Sequence, residues 1–136
     1  VEDNLETPSI FKEIFSDLAK NGFICMQSNN SEEAHEYLKD GCSIRFTRKG
    51  KELPEMEIKF AKDLLDEMQF NTRKKYKLTG LNIWFSNVNT GIAFKEELLK
   101  SPKDLEDAKH LRVVYAEKIN EEEIKAVKYL IRKLRL

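Results

Sequence analysis

Between Glu55 and Phe60 the chain alternates strictly, with Met56, Ile58 and Phe60 set against Glu55, Glu57 and Lys59. A strand sends successive side chains to opposite faces, so this segment has one oily side and one ionised side. It can settle only where a core covers the first and water wets the second. Just upstream, Ile44 and Phe46 alternate with Arg45 and Thr47, and Arg48-Lys49-Gly50-Lys51 supplies turn chemistry. Together they predict a two-stranded antiparallel ribbon over 44–60. Pro54 has no N–H to give to a ladder, which confines the start of the second strand to an edge or an irregular entry.

Helical periodicity frames this ribbon. Thr7 and Pro8 form a cap and first turn, Ile10, Phe11, Ile14, Phe15 and Leu18 recur at helical spacing, and Gly22 ends the run. Phe23 to Met26 reads as a short buried strand. Asn30 with Glu33 caps a helix carrying Ala34, Tyr37 and Leu38, and Ala61, Leu64, Leu65 and Met68 mark a helix running on from Phe60. Leu81, Ile83 and Phe85 alternate with Asn82, Trp84 and Ser86 as a strand. Asn87 to Gly91 reads as a turn and Ile92 to Phe94 as the returning partner. Ser101-Pro102 opens a short helix, Leu111 to Tyr115 reads as another strand, and Asn120 with Glu123 caps a last helix whose stripe is Ile124, Val127, Leu130, Ile131 and Leu134. The order α-β-α-β-β-α-β-β-α-β-α predicts an α+β fold: a mixed, mostly antiparallel sheet of about five strands with helices packed on it. A single domain over 1–136 is expected, with residues 1–6 frayed.

Composition narrows the function classes. The 136 residues are enough for one core without staples, and eight Phe and four Tyr give apolar surface to offset the ordering entropy. With 24 basic against 24 acidic residues the net charge is zero, so affinity for a polyanion must come from a local patch. Cys25 and Cys42 show no CxxC spacing and bear no ligand spacing to His35 or His110, which argues for free thiols, Cys25 buried, rather than a disulfide or zinc. No segment approaches the roughly 18 apolar residues of a span, so no membrane insertion is expected, and the setting expected is intracellular and cytoplasmic. The five glycines all punctuate element ends and build no phosphate-cradling loop, so a small-molecule ligand is not indicated. The histidines pair with no nucleophile and read as surface residues.

Three stretches carry chemistry. Arg73-Lys74-Lys75-Tyr76-Lys77 is the densest basic run. Phosphates gather several cations and release counterions on binding, while Tyr76 and Trp84 offer rings on which bases stack. On the last helix, Lys125, Lys128, Arg132, Lys133 and Arg135 lie off the apolar stripe and form a basic side, which the helix macrodipole alone also favours. The third stretch is Glu57-Ile58-Lys59.

That triplet, with Asp40 ahead of the preceding strand and an acidic helix residue, Glu13, leading in, resembles the E-x-K tail of the PD-(D/E)xK nuclease pattern over roughly residues 10 to 90. The resemblance implies that Asp40 and Glu57 ligate a divalent metal such as Mg and that Lys59 is the catalytic ammonium. The residues themselves favour a non-catalytic interaction or regulatory domain whose partner is another protein or nucleic acid. Arg73, Lys74, Lys75, Tyr76, Lys77 and Trp84 are then its contacts. The alternatives are the metal-dependent nuclease and a structural protein–protein adaptor that uses a sheet edge or the last helix.

Overall fold

The ribbon forms. In the computed structural model, which describes residues 8–136, β2 (Ile44–Arg48) and β3 (Glu55–Ile58) pair antiparallel, with Ile44 opposite Ile58 and Phe46 opposite Met56. β3 begins directly after Pro54, and Gly50, at φ +79°, supplies the left-handed residue of the connecting turn. The third strand, β1 (Phe23–Cys25), pairs with the other edge of β2, giving the order β1-β2-β3. The protein is α+β, but the sheet has three strands and not about five.

Two compact units divide the chain, Val1–Lys62 and Asp63–Leu136. In the first, α1 (Pro8–Lys20) and α2 (Ser31–Lys39) accompany the sheet. Phe11, Ala34, Leu38, Ile44 and Phe46 are buried together, with Phe15, Phe23, Cys25, Ile58 and Phe60 packed around them. Burying each large side chain is worth roughly 1.5–3 kcal/mol, and the ordering entropy of the segment consumes most of that. Ile44, Phe46, Ile58 and Phe60 of the ribbon therefore face this core, while Met56 stays exposed and Glu55 and Glu57 face solvent. Asn30 caps α2 by accepting from the N–H groups of Glu32 and Glu33. The expected cap at Thr7 and the frayed segment 1–6 lie outside the described residues.

The second unit holds no strand. α3 (Leu64–Asn71) opens at an Asp63 cap, so it does not run on from Phe60. α4 (Val88–Phe94) widens into a single π turn over Lys95–Leu99; α5 (Pro102–Val114) and α6 (Glu121–Arg135) follow. The core is Leu65, Tyr76, Val88, Ile92, Ala93, Ala108, Ile124, Val127 and Ile131.

Three expected strands fail here, for separate reasons. Ile92 to Phe94 belongs to α4, which is buried on nearly every side, and a short apolar run has no periodicity that separates a buried helix from a strand. The residues that read as a turn, Asn87 to Gly91, start that helix; Asn87 accepts from the Asn89 N–H. Leu111 to Val114 completes α5, a helix of 13 residues capped by Ser101, so packing and capping override the β preference of Val113-Val114. Leu81 to Ser86 loses its partner once 92–94 is helical, and only one isolated bridge remains, Lys74 to Phe85.

The expected α6 cap is present in altered form. Asn120 accepts from the Glu123 N–H at 3.1 Å, but Glu123 does not reach back to Asn120. Buried Asn89 mediates instead: its Oδ1 accepts from the Asn120 N–H at 2.9 Å, and its Nδ2 donates to Glu123 Oε2 and to the Lys118 carbonyl. Among the described residues no helix is long and apolar enough to cross a membrane.

Candidate nucleic-acid interface

The basic run and Trp84 form a single closed loop. α3 stops at Asn71, where Thr72 Oγ1 donates to the Met68 carbonyl at 2.7 Å. Lys74 and Phe85 then exchange both backbone hydrogen bonds, each 2.8 Å, and pin the ends of the segment between them. Inside it Thr79 Oγ1 donates to the Tyr76 carbonyl at 2.7 Å and accepts from the Leu81 N–H, and Gly80 turns the chain at φ +69°. A Cβ at Gly80 would meet nothing within 4 Å, so the backbone angle alone makes this a glycine position.

Tyr76 is the first correction among the site residues. It does not face a ligand: only 8% exposed, it packs 5.1 Å from the Tyr115 ring, and its hydroxyl accepts from the Val88 N–H at 2.7 Å. Burial raises its pKa, and the Val88 hydrogen bond opposes that rise. The loop hangs from this ring. Lys74, Lys75 and Lys77, which alternate with or flank Tyr76, are left in solvent.

Trp84 is 57% exposed on the loop; the polar sheet face expected around it does not exist. The Arg73 guanidinium lies 4.0 Å from the Phe70 ring centre and 4.9 Å from that of Trp84, and Nη1 donates to the Phe70 carbonyl at 2.8 Å. Lys75 Nζ sits 4.7 Å from the Trp84 ring and donates to Asn82 Oδ1 at 3.0 Å. Contacts of this kind hold cations at aromatic rings for about 0.5–1 kcal/mol at exposed sites.

Sequence reading missed two parts of this surface. Leu78, 70% exposed, and Leu81 and Ile83, each more than half exposed, lie in the same segment as Trp84. In addition, residues 68–95 contain no Asp or Glu, in a chain with 24 of them. The gap between Glu67 and Glu96 is a sharper signal than the basic run alone, because no carboxylate of the segment neutralises it.

The nuclease residues lie in the other unit. Asp40 is the C-cap of α2, its N–H on the Glu36 carbonyl and the Gly41 N–H on that of Leu38. Glu57 sits on the solvated face of β3 opposite Arg45, whose guanidinium pairs with Glu55 at 3.8 Å. Lys59 follows the end of β3 and is exposed. Among the described residues no group of three His, Cys, Asp or Glu side chains gathers as a metal site.

His35, expected at the surface, is 3% exposed between Phe11 and Phe60, with Nε2 unpartnered; His110 is exposed on α5 and not ahead of a strand. Both cysteines are free, Cys25 half-buried and Cys42 exposed.

The basic side of α6 is mostly engaged within its own unit. Lys128 meets Glu96 at 2.6 Å, Arg132 meets Glu97 at 3.1 Å, Arg135 grips Asp63 and Asp66 at the start of α3, and Lys125 pairs with Glu122. No family model, curated protein or solved structure matches the chain.

Proposed function

We propose that the protein is a non-catalytic macromolecule-binding domain that contacts nucleic acid through the loop between Lys74 and Phe85. One observation carries this reading: three cations, Lys74, Lys75 and Lys77, share a closed loop with an open Trp84, with Arg73 just before it, inside a stretch free of carboxylates. The basic face of α6 is tied up in ion pairs, whereas Lys74 and Lys77 stand in solvent at the loop. Phosphate binding by such a cluster draws its free energy from released counterions, which makes it steeply salt-dependent.

The test is affinity for a mixed-sequence oligonucleotide across a salt series, for the wild type and a K74E/K75E/K77E triple variant. The variant is expected to bind weakly and to lower the slope of log K against log salt by about 2, at roughly 0.7 per lost contact to a single strand. Equal affinity and slope for the two proteins would remove the loop as the contact.

A further inference from the structure

The loop carries more apolar surface than phosphate binding needs. Leu78, Leu81, Ile83 and Trp84 are all large and exposed, and all lie within seven residues. None belongs to the core of its unit, in which Tyr76 is buried and against which Phe85 packs. A cluster of this kind marks a contact whose partner brings apolar faces of its own. A duplex does not: its bases are stacked inward, and a loop on its backbone would leave these four side chains against water and sugar. A single strand presents phosphates beside unstacked flat bases, which matches the Arg73 and Lys75 cations set against the open Trp84 ring.

The arrangement around Trp84 shows how the exchange works. Arg73 is fixed, tethered to the Phe70 carbonyl and backed by the Phe70 ring. Lys75 is held only by one exposed hydrogen bond to Asn82 and by the Trp84 ring itself. Building on the nucleic-acid reading and resting on it, we infer that the loop selects single-stranded nucleic acid. A base takes the place of Lys75 on the Trp84 ring, and the released Lys75 ammonium pairs with an adjoining phosphate of the same strand. The charge then tracks the backbone while the rings and aliphatic groups supply the discrimination between strand forms.

Trp84 is the sole tryptophan, so its own emission reports the contact. The experiment titrates the full chain with a labelled single-stranded DNA and with the duplex of the same length and sequence, at one salt concentration. The single strand is expected to bind at least about tenfold tighter than the duplex and to quench Trp84. W84A should weaken single-strand binding about tenfold, equivalent to about 1.4 kcal/mol, within the range of one lost base stack. W84F should recover most of the loss, and neither variant should change the salt slope, because no phosphate contact is removed.

Equal binding of both strand forms, or binding without quenching, overturns this inference and leaves the basic-loop contact in place. Failure of both strand forms to bind overturns the two together. A blue shift of Trp84 on phosphatidylcholine–phosphatidylserine vesicles, with no response to DNA, would assign the loop to an anionic lipid surface instead.

Discussion

Replacing Glu96 by Gln should disconnect the helices of the C-terminal unit in a pH-dependent way. Glu96 projects from the π turn that follows α4, accepts a bidentate pair from Arg112 of α5 at 2.8 and 3.1 Å, and takes Lys128 of α6 at 2.6 Å. Its side chain is only 20% exposed. The Arg112 hydrogen bonds, reinforced by Lys128 and opposed by partial burial, lower its pKa from 4.5 to about 2. At roughly 1.4 kcal/mol per pH unit that difference is worth at most about 3 kcal/mol, and solvent screening trims it to about 2–3 kcal/mol.

The sign follows from proton counting. Between the two values the unfolded chain binds a proton that the folded one refuses, so the stabilisation is complete above about pH 4.5 and is lost as pH falls toward 2. Urea unfolding followed by Trp84 emission measures the right unit, since Trp84 and Glu96 both lie in it. E96Q should cost about 2–3 kcal/mol at neutral pH, and the gap to wild type should close to under about 1 kcal/mol near pH 2. Asp63, lowered to about 2 chiefly by its hydrogen bond to Arg135, gives both proteins the same background loss over this window. A gap that stays constant with pH would refute the assignment of that energy to the Glu96 charge.

Two further substitutions probe the loop anchor and the α6 cap. Tyr76→Phe keeps the ring but leaves the Val88 N–H without its acceptor; a loss of about 1–3 kcal/mol in thermal or urea unfolding is expected, and an unchanged midpoint would mean that water replaces the hydroxyl. Asn89→Ala removes three hydrogen bonds from a buried position and should cost about 2–4 kcal/mol by the same assay, more than the roughly 1 kcal/mol of removing the Asn120 cap alone. Equal losses for the two asparagines would show that Asn89 does not hold the cap together.

What could be read from the sequence follows from how local each signal was. The ribbon over 44–60 was legible because strict alternation of Glu and Lys with Met, Ile and Phe permits one inward face, and Pro54 marks the boundary. Helix α1 carried its stripe, and α2 and α6 their stripes and N-caps, in plain view. The interior of the second unit did not. α4 is a short helix buried nearly all round, so it lacks the polar face that betrays a helix, and its Asn-rich entry reads equally as a turn or as a cap. That one ambiguity has a consequence for Leu81 to Ser86, whose alternation reads as a strand but whose expected partner is helical, so that only the Lys74–Phe85 bridge forms. For the candidate site, charge density singles out Arg73, Lys74, Lys75 and Lys77 and the alternation of 81–86 singles out Trp84, and the structure leaves Lys74, Lys75, Lys77 and Trp84 exposed. Tyr76 was misplaced because its neighbours are solvated, and only the tertiary contact with Tyr115 and Val88 shows that it turns inward.

The backbone exchange between Lys74 and Phe85, with the buried Tyr76 ring and the Thr79–Gly80 bend, fixes the outline of the loop. The exposed side chains of Leu78, Leu81, Ile83 and Trp84 are therefore carried on a frame that Thr79 and Gly80 bend. The same frame would accept a transplanted recognition sequence, and homologous frames would be expected to diverge in specificity fastest at these positions while retaining the tyrosine.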